Sequence, residues 1–339
     1  MRAVVLDAHG GSENFRLAVL SVPTLRPGDV GIRVRAISFN PIDYQIRKGK
    51  PAGSPVASPV LGRDLSGVVD SVASGVEDIV PGDEVYSYIG TLASSGAYAE
   101  YVAVPAELVA LKPRSLSHEQ AAAVPVGAVT AIMALQKLDV GPATSLFVAG
   151  GAGGMGSFAL ALARTDGVRR LVTTAGNAAS RAYLVDKCGI DDANILDYRD
   201  PAFLELALAR NGGLFDCVLD LVGGAMLSAC CKLVAVDGQL ASVTEAPSES
   251  DFEYLFQKNA SFHAVGANAY MLADDRKGWL KYRAILQRLA QLFDSGTLAP
   301  PQVTIFDEFS VESVQRAHAL MERGGVQGKL VMSLGKRAD

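Results

Sequence analysis

Residues 147–164 read FVAGGAGGMGSFALALAR, and this run restricts the possible folds more than any other. Gly151-x-Gly153-x-x-Gly156 follows an apolar strand-like run, SLFVAG (145–150), and precedes residues with helical spacing. Gly151 permits a tight turn. Gly153 lets the backbone approach a pyrophosphate with no Cβ in the way, and Gly156 lets the helix pack closely on the strand. Gly154 and Met155 open the helix, whose unpaired N–H groups and positive dipole end suit phosphate. A strand–turn–helix unit of this kind buries its strand only within a parallel sheet covered by helices, so similar units must follow.

They do. RRLVTTA (169–175) precedes a helix near 178–188, ANIL (193–196) is a short strand, and FDCVLDLVG (215–223) is a strand with a helix after it. QLASVT and SFHAVGA read as two more strands. The alternation predicts an α/β, doubly wound parallel sheet. Before residue 118 the texture differs: AVVLDA, LAVLSVP and DVGIRVRAISF are separated by turn clusters RPGD, DIVPGD and SSGA, with few helical periods. That predicts a twisted antiparallel sheet or partial barrel. Ser117 with Glu119 and Gln120 marks a capped helix start. The tail brings an amphipathic helix (278–295), QVTIFDEF, a helix through VQRAHALMER, and GKLVMSL, which read as a return to the first domain. The expected boundaries are 1–125, 126–266 and 267–339.

The 339 residues are 49% apolar and 20% charged, enough for large cores, and a net charge of −5 scattered along the chain excludes nucleic acid or an anionic membrane as the natural partner. The apolar runs are too short to span a bilayer. Charges and glycines break MRAVVLDAHGG, so it reads as neither signal peptide nor anchor, and the cytoplasm is the expected compartment. Cys188, Cys217, Cys230 and Cys231 match no zinc or redox spacing and read as reduced thiols in or near a core.

The residue that distinguishes NAD from NADP falls about 20 residues past the glycines, at the end of the second strand. There the chain reads Thr173-Thr174-Ala175-Gly176-Asn177, with no acid to repel a 2′-phosphate, and Arg181 follows within reach of one. The expected cofactor is NADPH.

NPIDYQIRKG (40–49), VLGRDLSGVV (60–69), PGDEVYSY (81–88), GAYAEYVAVP (96–105), AAAVPVGAVTA, the glycine loop, ILDYR (195–199), VLDLVGG (218–224) and GKLV (328–331) occur in one order along nearly the whole chain. In that order and spacing the sequence resembles the zeta-crystallin-like quinone oxidoreductases of the medium-chain dehydrogenase/reductase superfamily. The resemblance implies a GroES-like catalytic domain, a Rossmann domain, cofactor in the cleft between them, and a homodimer or homotetramer. It places Asn40 near the nicotinamide ribose, Thr130 at the nicotinamide end and Gly151–Gly156 on the pyrophosphate. The segment Ala175 to Arg181, with Asn177, and Tyr198 would meet the 2′-phosphate. Val222 and Gly223 would line the ribose, and Lys329 the phosphate side.

Zinc alcohol dehydrogenases of this superfamily carry ligands where this chain has Asn40, Gly62-Arg63-Asp64 and Val126, and residues 1–187 contain no Cys. Thiolate and imidazole are missing from that set, so a metal-free enzyme is expected. Arg63 and Asp64 read as an ion pair filling the pocket. Asp43 and Tyr44 are the catalytic candidates, Tyr44 as a donor to the acceptor's oxygen and Asp43 as catalyst or structural acceptor. Where many relatives have tyrosines, this chain has Gln45 and Lys50-Pro51. Without a Lewis acid, hydride delivery to an electron-poor acceptor remains. A quinone is the first reading. The alternatives are the C=C bond of enals, enones or enoyl thioesters, and a non-catalytic, crystallin-like NADPH-binding protein. Acceptor walls are expected from loops around 50–58, 90–95, 245–256 and 268–275.

Overall fold

The repeated strand–helix pattern builds the sheet it implied. The computed structural model describes residues 1–49, 59–90, 96–306 and 309–335. The chain divides into two units, Met1–Val129 with Asn268–Asp339, and Thr130–Ala267; the division falls inside the helix Pro125–Lys137.

Among the described residues, the second unit holds six parallel strands. Their order is Ile195–Asp197, Arg170–Ala175, Ser145–Ala149, Phe215–Asp220, Val234–Ser242, Ser261–Ala264. All five residues of Ser145–Ala149 are buried, as a central strand covered on both faces requires. Phe147 packs against Phe215 and Phe203 at centroid distances of 5.4 and 6.0 Å and anchors the core. The chain runs outward from Ser145–Ala149 in one direction, then restarts on its other side at Phe215–Asp220. The strand order therefore reverses between these two neighbours, where a crevice opens beyond their carboxyl ends.

In the first unit, described strands form a seven-stranded sheet along Val303–Phe306, Lys329–Ser333, Asp29–Ser38, Asp64–Val72, Glu84–Tyr88 and Val109–Leu111, with Tyr101–Pro105 also on Asp29–Ser38. Its pairings are antiparallel except that between the two tail strands. The tail is thus continuous with the N-terminal sheet, Val331 standing opposite Ser38. A two-stranded sheet, Arg2–Leu6 with Phe15–Val19, adds to this unit.

Among the described residues, one α-helix and two short 3₁₀ turns, Ser12–Asn14 and Ala106–Leu108, interrupt the region read as β-rich. Pro41–Arg47 starts where Asn40 is extended and Pro41 supplies a preformed first turn, and the Asp43 carboxylate accepts the Asn40 N–H at 2.8 Å. The run FDCVLDLVG leaves the strand at Asp220. Helices Phe203–Asn211 and Glu249–Gln257 complete the βα units. Cys217, Cys230 and Cys231 are buried and Cys188 is partly so, all four unbridged. Among the described residues, no helix is long and apolar enough to cross a membrane.

Candidate functional site

The glycine loop lies at the reversal point of the second unit. Gly150 has a positive φ of 83°, and its N–H donates to Thr174 Oγ1 at 2.9 Å; Thr173 Oγ1 donates to the Val148 carbonyl at 2.7 Å. A Cβ on Gly151 would stand 2.1 Å from Thr173 Oγ1, and one on Gly156 would stand 2.3 Å from the Gly150 carbonyl oxygen. The fold therefore demands glycine at both. At Gly153 the nearest atom would be 3.4 Å away, an ordinary contact. Internal packing does not require a bare backbone there.

Gly153 precedes the helix Gly154–Thr165 and offers no side-chain cap. Ser157 N–H bonds to the Gly153 carbonyl, so the first-turn N–H groups of Gly154, Met155 and Gly156 lie ahead of the intrahelical ladder. Uncapped donors at a helix start, beside a crevice, fit a pyrophosphate.

One flank of this crevice is the end of Arg170–Ala175. Tyr198, 48% exposed, lies over Gly176, where a Cβ would come within 2.5 Å of its hydroxyl oxygen. Asn177 Oδ1 accepts the Ser180 N–H at 2.8 Å and caps the helix Ala178–Asp186. Ala175, Asn177 and Tyr198 are thus brought together. Arg181 points elsewhere than expected: its Nε donates to Asp192 Oδ1 at 2.5 Å, Nη2 to Asp192 Oδ2 at 2.9 Å, and Nη1 to the Ile195 carbonyl at 2.8 Å. A fork matched to a carboxylate and a carbonyl has its donors occupied, so Arg181 braces its own neighbourhood.

The opposite flank is Asp220, fully buried at the end of its strand. Its carboxylate accepts the N–H groups of Val222 (3.1 Å) and Gly223 (3.1 Å) and the hydroxyls of Ser242 (2.9 Å) and Thr244 (3.1 Å). This holds Val222, 54% exposed, at the crevice. Gly223 has φ of 81°, and a Cβ there would meet Thr244 Oγ1 at 2.9 Å.

The first unit contains a separate buried polar cluster. Asp64 Oδ2 accepts Ser38 Oγ at 2.8 Å, Asn40 Nδ2 at 2.9 Å and Lys329 Nζ at 3.3 Å, while Oδ1 accepts the Val126 N–H at 2.8 Å. Lys329 Nζ also reaches Asn40 Oδ1 at 2.5 Å and the Phe39 carbonyl at 3.3 Å. Three acceptors use three ammonium protons, so Lys329 is a buried tie and not the phosphate-side cation its place in GKLV implied. The expected Arg63–Asp64 ion pair is replaced: Asp64 pairs with Lys329, and Arg63 Nη1 donates to Asn268 Oδ1, which also accepts the Tyr88 hydroxyl. Gly62, with φ of 96°, has Tyr98 packed where a Cβ would be, which fixes the backbone ahead of Arg63. Asp43 is buried beside this cluster with Oδ1 unpartnered; burial pushes it up to about 6, and the Arg63 charge opposes the rise.

Tyr44 lies under the Lys48 ammonium, 5.6 Å from its ring centroid, and Thr130 is buried on the helix Pro125–Lys137. Residues 50–58 and 91–95, expected to wall the acceptor pocket, lie outside the described residues, as do Lys50 and Pro51. The expected walls at 245–256 and 268–275 include the helices Glu249–Gln257 and Ala269–Leu272. The sequence reading did not single out Thr173 and Thr174 as loop braces, nor Asp220, Asn268 or Tyr88. A carboxylate inside the apolar run CVLDLV was the available sign for Asp220.

Residues 26–114 match the alcohol dehydrogenase GroES-like domain, and residues 190–332 match a family described as zinc-binding dehydrogenase. The chain is 30% identical over 340 residues to the 2-methylene-furan-3-one reductase of Solanum lycopersicum, covering 98% of this chain and 79% of that protein. It is 28% identical, with the same coverage, to the NADPH-dependent alkenal/one oxidoreductase, chloroplastic, of Arabidopsis thaliana. The quinone oxidoreductase structure from Coxiella burnetii superimposes with a TM-score of 0.83 at 28% identity, covering 99% of both chains. A Rossmann sheet carrying an uncapped glycine loop, a GroES-like sheet completed by the chain's own tail, and likeness along almost the full length agree: the chain is an oxidoreductase of the medium-chain dehydrogenase/reductase superfamily.

Proposed function

We propose that the protein binds NADPH and reduces an acceptor whose carbonyl is conjugated to a C=C bond, a quinone or an enone, without a bound metal. The observation that carries the cofactor reading is the bare backbone of Gly153 before a helix with no side-chain cap. Gly151–Gly156 would hold the pyrophosphate, Val222 and Gly223 the ribose, and Ala175, Asn177 and Tyr198 the adenosine 2′-phosphate, where no acid competes. NADPH supplies the hydride when bound. Asn40, Thr130, Asp43 and Tyr44 remain candidates for the nicotinamide end and the proton, while Arg181 and Lys329 are assigned supporting roles.

Zinc does not fit the donor set. Asn40 is tied to Asp64 and Lys329, Arg63 is a cation, and Val126 offers only its backbone. Among the described residues, no three of His, Cys, Asp or Glu are grouped to hold an ion.

Quinone reduction is supported by the structural likeness to the Coxiella protein, and enone reduction by the tomato and Arabidopsis relatives. Turnover of NADPH against a quinone and an enone, measured on the same preparation, separates them: reduction of the enone alone removes the quinone reading. Tight NADPH binding with no acceptor-dependent oxidation would leave the crystallin-like reading. A homodimer or homotetramer through the outer strand Ser261–Ala264 completes the proposal, checked by light scattering.

A further inference from the structure

Among the described residues of the first unit, the buried side-chain atoms without a hydrogen-bond partner include Arg63 Nε, a donor, and Asp43 Oδ1, an acceptor when ionised and a donor when protonated. Both residues are almost fully enclosed, Arg63 at 3% and Asp43 at 1% exposure. Arg63 is the charge that most lowers the Asp43 pKa, yet no hydrogen bond joins the two. An orphaned buried donor is costly, and an oxygen acceptor placed against it would offset that cost.

The rest of the cluster is saturated. Asp64 is occupied by Ser38, Asn40, Lys329 and the Val126 N–H, and the Arg63 Nη1 is fixed on Asn268, which Tyr88 also grips. The guanidinium is therefore held in place by one edge while a further N–H is left without a partner. An oxygen atom beside Asp43 would satisfy it.

We infer that Arg63 binds the carbonyl oxygen of the acceptor and stabilises the negative charge that collects there during reduction. The inference rests on the reductase reading above. When hydride adds to the conjugated carbon, the electron pair of the C=C bond moves towards the carbonyl and an enolate or phenolate oxygen forms. A fixed guanidinium in a dry site lowers the energy of that charge without moving. The proton that completes the reaction comes from solvent, directly or by way of the Asp43 or Tyr44 candidates named above, and no oxidant or reductant beyond the NADPH hydride is required. Arg63 is in this sense a catalytic residue, performing by charge what a metal performs elsewhere.

The test uses the full-length chain and the variants Arg63→Lys, Arg63→Met and Arg63→Ala. Acceptor turnover is measured with a quinone and an enone, NADPH affinity by cofactor fluorescence, and folding by thermal melting. Binding of 4-nitrophenolate, which mimics the product-side oxyanion, is followed by its absorbance shift with no cofactor present. Removal of one preorganised charge-stabilising donor predicts a loss of kcat/KM of about 10²–10³-fold in Arg63→Met. NADPH affinity should stay within about twofold, a difference well under 1 kcal/mol. Nitrophenolate binding should disappear, and methylguanidinium added to Arg63→Ala should restore part of the rate.

Retention of kcat/KM within about fivefold in Arg63→Met, a change of ~1 kcal/mol, overturns the inference. So does unchanged nitrophenolate binding, or a rate loss matched by loss of folding with no rescue. If Arg63→Met does not fold, Arg63→Lys replaces it: with the charge kept and the fork removed, a loss of about tenfold in kcat/KM, ~1.4 kcal/mol, is expected, and parental kcat/KM overturns the inference. Failure of the parent to bind NADPH or turn over would instead count against the reductase reading, while the nitrophenolate comparison still judges Arg63.

Discussion

The Thr174 hydroxyl accepts the Gly150 N–H at 2.9 Å, so the end of one strand holds the start of the glycine loop on the next. Thr174→Val keeps the shape and removes the acceptor. It should cost about 1 kcal/mol of stability and weaken NADPH several-fold, because the loop loses its brace on the side where phosphate is expected. Chemical denaturation and a fluorescence titration measure the two effects separately.

Two glycines three residues apart should respond differently to the same methyl group. Gly156→Ala places Cβ 2.3 Å from the Gly150 carbonyl oxygen and should destabilise the free protein by roughly 1–3 kcal/mol. Gly153→Ala meets nothing closer than 3.4 Å and should leave the melting temperature of the free protein within a degree or two, a change of a few tenths of a kcal/mol. Its effect should fall on NADPH, with at least about tenfold weaker binding, ~1.4 kcal/mol. Equal NADPH affinity in Gly153→Ala would show that no ligand touches that backbone.

Cofactor preference is expected to respond to Asn177 more than to Arg181. Asn177→Asp preserves a side-chain acceptor for Ser180 N–H, so the helix keeps its cap. The new negative charge should weaken NADPH about tenfold, ~1.4 kcal/mol, and leave NADH nearly unchanged. Arg181→Gln should shift both cofactors little, since its guanidinium is already on Asp192. The ratio of the two dissociation constants in each variant is the measurement.

Asp43 and His318 give stability opposite dependences on pH. Burial raises Asp43 from 3.8 to about 6, so between those values the folded chain holds a proton that the unfolded chain has released. Its contribution therefore falls as pH rises through this window and stays low above it. Burial, aided by the Arg47 charge, lowers His318 from 6.5 to about 3, so its contribution falls as pH drops through that interval. The two overlap, and the parent alone will not resolve them. In Asp43→Asn the His318 effect remains and cancels in the comparison. Relative to the parent, the variant should gain of order 1–3 kcal/mol between pH 4 and pH 7. A flat difference across that range would place Asp43 in a solvated setting.

The parallel sheet was legible because each strand of the second unit is a short apolar run followed by a turn and helical spacing, and the glycine loop because both its flanks had the right texture. Pro41–Arg47 was not, since seven residues complete barely two turns and only Ile42 and Ile46 mark its apolar side. The first-unit cluster was hidden for another reason. Asn268 meets Arg63 across 205 positions, and Lys329 meets Asp64 across 265, so no local spacing could announce either contact. For Arg181 the residue type suggested phosphate, but the nearby Asp192 claimed it first.

The helix beginning at Gly154 has no side chain finishing its first turn, whereas its neighbour beginning at Ala178 is finished by Asn177. A serine at 153 would steady the empty protein and occupy the very hydrogens a nucleotide needs. On the NADPH reading proposed above, the ligand would complete one turn of secondary structure. The chain's robustness to heat should accordingly track how much reduced or oxidised cofactor its surroundings hold, tying the lifetime of the enzyme to the redox supply it consumes.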